Sequence, residues 1–277
     1  MDIRLIFSDI DNTVLPKSQI VSGRTRAAIA ACRKKGVEFI VASGRWFPSA
    51  RQVVSDQLGI EDGYMITCNG TVIVKTDGSI LKEYCMTGAQ ARRVYEILHR
   101  ENVMMSTYVD GALCRLRRHL MPNFHFPEQS SRIFGKDYIV TDDDEDVFVN
   151  VGMRHPYKME AYSEDTQLLA RLRAQLRAEG LQVNSAYPVN LEVMAPGTGK
   201  GVAVKWMAEH MGVGTDQTMG FGDYFNDLEM LGAVGWPVAV ENAADEVKQV
   251  ARLVAPACAD DGVARTIEDY VLGDKNI

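Results

Sequence analysis

Three largely apolar runs stop abruptly at small or acidic side chains. Ile3 to Phe7 leads into Ser8 and Asp9, Val37 to Ala42 into Ser43, and Gln217 to Phe221 into Gly222 and Asp223. Short, nearly continuous apolar runs predict strands covered on both faces, as in a parallel sheet. Between the first two, residues 22–35 predict a helix with Ser22 as its cap and Gly36 as its stop. A second helix is predicted from about Phe47 to Leu58. A strand over Tyr64 to Thr67 and a hairpin from Thr71 to Val74 and Ile80 to Cys85, turning at Thr76-Asp77-Gly78-Ser79, complete this half. The alternation resumes with a helix from Gly199 to His210 and runs through strands at 217–221 and 238–240 to a last helix near Gly262 to Val271.

The stretch between these halves has another pattern. Thr87 with Gln90 three residues on has the spacing of a capping box ahead of Val94, Ile97 and Leu98. Ser163 is expected to cap a helix that carries Leu168, Leu169, Leu172 and Leu176 on one face and ends at Gly180. Strand candidates lie at 104–109, 112–116, 148–153, 181–185 and 191–194, and helices over a mainly antiparallel sheet suit them. The expected organisation is a discontinuous core domain, residues 1–85 and 189–277, with an inserted α+β domain over 86–188. Two domains also fit 277 residues at a prior of roughly 100–200 per domain.

Composition narrows the partners. Hydrophobic residues at 46% and charged residues at 24% are close to globular averages, and no apolar stretch nears the roughly 20 residues of a membrane span. Met1-Asp2 leads straight into the first strand without a basic region, so no membrane partner and a cytoplasmic location are expected. A net charge of -7 offers nucleic acid no general attraction and leaves small molecules as the expected partners. Cys32, Cys68, Cys85, Cys114 and Cys258 are widely spaced without a Cys-x-x-Cys pair, which predicts reduced thiols. Asp142 to Asp146 lacks the glycine and spaced ligands of a calcium loop and reads as a solvated turn or helix start.

Asp9 stands where open α/β sheets place their ligand crevice, at the carboxyl end of a strand, with Asp11 two residues on. Alone, such an Asp-x-Asp caps a turn, and Ser43-Gly44-Arg45 alone is equally a turn. The same tripeptide also offers a hydroxyl, a backbone N–H and a forked guanidinium to a phosphoryl oxygen. Lys200 would open a helix, where a cation opposes the macrodipole by ~0.3–1 kcal/mol and calls for a compensating anion. Asp223 and Asp227 are four apart, so on a helix they would share a face, with Asn226 near them. Grouped carboxylates suit Mg2+, which needs one or two of them plus a substrate phosphate. Asp9, Asp11, Asp223 and Asp227 against Lys200 sum to -3; Mg2+ brings this to -1, and Arg45 to 0, so a cation would let a phosphate dianion in.

Taken in order, Asp9-Ile10-Asp11-Asn12-Thr13, Ser43-Gly44-Arg45, Lys200 and Gly222-Asp223-Tyr224-Phe225-Asn226-Asp227 resemble the motifs of the haloacid dehalogenase superfamily of aspartate-nucleophile phosphatases, and within it the Cof-like branch. The resemblance covers nearly the whole chain. Val240 to Lys248 and Asp261 to Ala264 also look Cof-like. Asn12 replaces the usual glycine, a tolerable change because asparagine is among the few other residues that adopt a left-handed backbone. Glu241 replaces another glycine and is expected at the rim of the pocket. Asn69-Gly70 matches a family position near the substrate, and reads equally well as a plain turn.

The resemblance implies an α/β fold: a Rossmann-like three-layer core with a mainly parallel sheet, plus an inserted α+β cap domain that selects substrate and limits solvent. It implies that Asp9 attacks phosphorus to give an aspartyl-phosphate, while Asp11 protonates the leaving oxygen and later activates water. Ser43 and Lys200 complete the catalytic set, and Ser43, Gly44, Arg45, Asn69, Lys200 and Asn226 the substrate and phosphate contacts. Mg2+ would lie on Asp9, the backbone carbonyl of Asp11 and Asp223, with Asn226 and Asp227 on a bound water, the phosphate or Lys200. The implied function is a Mg-dependent phosphatase that hydrolyses a small phosphorylated metabolite, a sugar phosphate or similar, as a monomer or homodimer. A phosphomutase acting on sugar phosphates would keep the same core, and a receiver-type signalling domain also phosphorylates an aspartate beside Mg2+. In the insert, Arg115, Arg117, Arg118 and His119 form a basic cluster that reads as a solvated face, or else receives the far end of an anionic substrate.

Overall fold

The computed structural model of the chain describes residues 2–101, 103–109, 112–116, 138–142 and 156–273. By its internal contacts the chain divides into two units, residues 1–82 with 199–277, and residues 83–198.

The first unit begins with β1 (Leu5–Ser8), α1 (Gly23–Lys34), β2 (Glu38–Ala42) and α2 (Phe47–Arg51), which runs on as a π-helical stretch over Gln52–Gln57. The Ser22 hydroxyl accepts the N–H of Thr25 at 3.0 Å, and Gly36 takes φ 83, so α1 starts and stops on local chemistry. β3 (Tyr64–Thr67), β4 (Val72–Lys75) and β5 (Ile80–Glu83) follow.

The second unit holds α3 (Gly88–His99), β6 (Met104–Val109), β7 (Ala112–Leu116), β8 (Tyr138–Thr141), β9 (Pro156–Tyr162), α4 (Thr166–Ala178), β10 (Gln182–Asn184) and β11 (Asn190–Met194). Thr87 and Gln90 form the capping box of α3, each side chain bonded to the other's backbone N–H at 3.2 and 2.8 Å. Its described strands form one sheet in the order β10-β11-β9-β6-β7-β8. Val94 and Leu98 of α3 and Leu169, Leu172 and Leu176 of α4 share an apolar core with Met105, Met159, Ala161, Leu191 and Val193.

The chain then returns to the first unit with α5 (Lys200–His210), β12 (Thr218–Gly222), α6 (Leu228–Leu231), β13 (Trp236–Val240), α7 (Asp245–Val250), β14 (Leu253–Ala255) and α8 (Gly262–Thr266). The sheet order is β14-β13-β12-β1-β2-β3-β4-β5. From β14 to β3 every neighbouring pair is parallel, and β4 runs antiparallel to β3. Leu5, Phe7, Ile40 and Ile66 pack against Ala203, Val204 and Met207 of α5. The carboxyl ends of β12, β1, β2 and β3 therefore stand side by side.

Several expectations need correction. The cap of α4 is Asp165, whose carboxylate accepts the N–H groups of Gln167 and Leu168 at 3.0 Å; the hydroxyl of Ser163, two residues upstream, accepts the N–H of Asp165. Residues 190–194, a strand candidate of the inserted stretch that the expected boundary at 188/189 left in the core, form β11 of the inserted sheet, antiparallel to β9 and β10. Arg115 is buried rather than solvated, with its Nε on the Ser106 hydroxyl at 2.7 Å. Arg117, Arg118, His119, the strand candidate at 148–153 and Asp143 to Asp146 lie outside the described residues. β8, β9, β14, α6 and α7 were not anticipated. No helix among the described residues is long and apolar enough to cross a membrane.

Candidate active site

Asp9 immediately follows β1, and its N–H donates to the carbonyl of Phe221 at 2.9 Å, which anchors it beside the end of β12. Ser43 follows β2 and donates its N–H to Ile66; Asn69 follows β3 and donates its own to the Ser43 carbonyl, both at 2.9 Å. Asp223 follows β12. Four neighbouring strand ends thus deliver a carboxylate, a hydroxyl, an amide and a second carboxylate to one rim.

Lys200 reaches this rim from the first position of α5 and is fully buried. Its Nζ donates to Asp9 Oδ1 at 2.6 Å and to Asp227 Oδ1 at 2.7 Å. Gly70, at φ 94, lets the loop after β3 lie directly on this helix start, because a Cβ there would overlap the Gly199 carbonyl and stand 2.9 Å from the N of Lys200. The anions that the helix start asks for are those of Asp9 and Asp227.

Asp223 and Asp227 do not share a helix face. Residues 225–227 form a tight 3-10 turn, and Asp227 Oδ2 folds back to accept the N–H groups of Asp223 and Tyr224 at 3.0 and 3.2 Å. Gly222 makes room, since a Cβ on it would stand 2.5 Å from that of Asp227. A carboxylate oxygen from each of Asp9, Asp223 and Asp227 then falls within 4.8 Å of the others. Thr13, unassigned from sequence, donates its hydroxyl to Asp223 Oδ1 at 3.0 Å; its place in the Asp9 to Thr13 segment was the available signal.

Asp11 lies outside that trio. Arg45 closes its fork on the Asp11 carboxylate, Nε to Oδ2 at 2.8 Å and NH2 to Oδ1 at 2.6 Å. The Ser43 hydroxyl accepts the N–H of Arg45 at 3.1 Å, across Gly44. Asn226 Nδ2 points to Asn69 Oδ1 at 3.4 Å, while Asn69 Nδ2 is buried without a hydrogen-bond partner among the described residues. Asn12 stands at φ 59, the left-handed backbone expected of it.

The electrostatics follow from this crowding. Burial, then the charges of Asp227, Asp223 and Asp11, push the Asp9 carboxyl well above its usual range against the pull of Lys200. Asp223 is pushed up to about 7 by burial and by Asp227, with the Thr13 hydroxyl and Lys200 working the other way. Burial opposes the charge on Lys200, but the carboxylates of Asp227 and Asp9 outweigh it and raise its pKa. Three carboxylates thus crowd around one ammonium, a surplus of negative charge that a hard divalent cation would offset, and the all-oxygen donor set fits one.

The family model for haloacid dehalogenase-like hydrolases matches residues 6–267. The chain belongs to this family. Among the hydrolase's relatives, it is 26% identical over 272 residues to the 5-amino-6-(5-phospho-D-ribitylamino)uracil phosphatase YcsE of Bacillus subtilis, covering 98% of this chain and 97% of that one. It is 29% identical over 258 residues to the HMP-PP phosphatase of Serratia proteamaculans, covering 89% and 87%. A haloacid dehalogenase-like hydrolase structure from B. subtilis shares the fold at a TM-score of 0.84 and 24% identity, over 97% of this chain and 100% of that one.

Proposed function

We propose that this haloacid dehalogenase-type phosphatase hydrolyses a small phosphate monoester, with Asp9 as nucleophile and Mg2+ as its metal. The observation that carries the reading is the position of Asp9: at the end of a central parallel strand, held by Lys200, in a carboxylate trio with surplus negative charge. Asp9 attacks phosphorus, the bond to the ester oxygen breaks, and Asp11 gives its proton to the departing alcohol. Asp11, again a carboxylate, then takes a proton from the water that attacks the aspartyl-phosphate, releasing inorganic phosphate and restoring Asp9. Arg45 orients Asp11 throughout.

Lys200 holds the Asp9 oxygen that does not attack and offsets charge on the phosphoryl group. The Ser43 hydroxyl and the unpartnered side-chain Nδ2 of Asn69 would meet phosphoryl oxygens; a buried donor without a partner is costly unless a ligand meets it. Asp9 and Asp223, with the backbone carbonyl of Asp11, would hold the cation, which supplies positive charge to the incoming phosphate dianion. Asp227 acts as the brace that orients Lys200 and the Asp223 backbone.

A sugar or polyol phosphate is the proposed substrate class, in line with the B. subtilis relative, whose named substrate carries its phosphate on a ribityl group. No disulfide joins the five cysteines, which suits a reducing, cytoplasmic setting. The test is phosphate release from a panel of phosphometabolites with and without Mg2+. Metal-dependent release from at least one sugar or polyol phosphate is expected; isomerised phosphoester without free phosphate would replace this reading with a mutase.

A further inference from the structure

Asn242 belongs to the Val240 to Lys248 segment, which has no role in the chemistry described above. It follows β13 and uses both ends of its amide. Nδ2 donates to the backbone carbonyl of Asn12 at 2.8 Å, and Oδ1 accepts the backbone N–H of Cys258 at 2.8 Å. Asn12 is the residue after Asp11. Inside its own loop, the N–H of Asn12 is taken by Leu15 at 2.8 Å, and the Ile10 carbonyl gathers the N–H groups of Val14 and Leu15 at 3.1 and 2.8 Å. The Asn12 carbonyl is held from outside that loop, by Asn242. A side chain of this length that serves a carbonyl and an N–H at once needs a donor and an acceptor on one planar group, which is an asparagine amide.

The peptides on either side of this tie carry the chemistry. Asp11 precedes it, and Thr13, bonded to Asp223, follows it. The same segment also reaches Asp223 directly, through the N–H of Ala244 on its carbonyl at 2.9 Å. We propose that Asn242 is a positioning residue for the general acid Asp11, acting through the Asn12 carbonyl. The inference rests on the phosphatase reading above.

Its consequence depends on the leaving group. When Asp9 displaces an alkoxide, the breaking P–O bond leaves its electron pair on an oxygen that needs the proton of Asp11. When it displaces 4-nitrophenolate, the oxygen departs as a stable anion and needs no proton. A misplaced Asp11 therefore slows the first reaction and spares the second, whereas a general loss of structure slows both.

The experiment uses the full-length protein with Mg2+, glycerol phosphate and 4-nitrophenyl phosphate, and compares kcat/KM, which reports the steps up to release of the alcohol. Asn242→Ala removes both bonds. Asn242→Asp keeps the acceptor for Cys258 and loses the donor for Asn12. Both variants are expected to lose about 10²-fold on glycerol phosphate and less than about threefold on the aryl ester, with the melting temperature of Asn242→Asp near that of the wild type. Equal losses on the two esters, or wild-type kcat/KM for Asn242→Asp on glycerol phosphate, would overturn the proposal. A wild-type protein inactive on both esters would instead sink the phosphatase reading, and the role of Asn242 would fall with it.

Discussion

Each unit of this molecule buries a lysine between two carboxylates. In the core unit Lys200 bridges Asp9 and Asp227 at 2.6 and 2.7 Å. In the inserted unit Lys158 bridges Glu160 and Glu192 at 2.6 and 2.8 Å. The surroundings then diverge. Glu160 also accepts the hydroxyls of Tyr108 and Tyr162 at 2.9 and 2.8 Å, and although burial pushes its pKa up, Lys158 and these donors outweigh that and hold it below the usual range. Asp9 meets a third carboxylate, and its pKa goes up. A buried carboxylate held by a lysine and two hydroxyl donors stays ionised as part of the structure, whereas one crowded by two further carboxylates calls for a cation.

The sharpest way to break this contrast is to remove one carboxylate from the crowded side. Asp9→Asn should lower metal-dependent turnover by at least about 10⁴-fold while leaving thermal stability unchanged or raised, since it deletes the nucleophile and relieves repulsion. Retained turnover would mean that the surplus charge has no catalytic purpose. On the Lys158 side the penalty should fall on stability instead. Lys158→Met strands two buried glutamates and should cost about 3–5 kcal/mol in denaturant unfolding, with no recovery on adding Mg2+.

Lys200→Ala should cost about 3 kcal/mol of transition-state stabilisation, read as kcat/KM, and a change under about tenfold would contradict its role. A gentler probe is pH. The Asp223 carboxyl rises from its usual 3.8 to about 7 in the folded, metal-free chain, so the fold binds protons that the unfolded chain releases. The stability from this group is present in full below about pH 4 and is lost as pH rises through about 7. The melting temperature of the metal-free protein should fall between about pH 5 and 8, and Mg2+ should stabilise more at the upper end; a metal effect independent of pH would uncouple the trio from the ion. The smallest expected effect is that of Asn12→Gly, within about 1 kcal/mol in thermal unfolding, because φ 59 suits glycine and the backbone carbonyl stays in place.

The legible parts of the chain were those set by near neighbours. The apolar runs at β1, β2 and β12, the Ser22 cap and the Thr87 capping box depend on residues within one turn or one strand, and they stand where the pattern placed them. β9 was missed for the opposite reason. Pro156 to Tyr162 alternates Lys158 and Glu160 with apolar residues and reads as half-solvated, yet every position is buried, because Glu192 arrives from β11 to meet Lys158. The four-residue spacing of Asp223 and Asp227 suggested a helix face, but the Asp227 carboxylate captured two backbone N–H groups and made a turn.

Sequence alone determined which side chains could do the chemistry and that they stand at strand ends, because strand and motif order are written locally. It also determined family membership, through motifs in a fixed order. Only the tertiary structure decided the partners: Arg45 with Asp11, Lys200 with both Asp9 and Asp227, Asn242 with Asn12. Those pairs join residues 27 to 230 positions apart, and their geometry and charge balance exist only once the sheet has set its strand ends side by side.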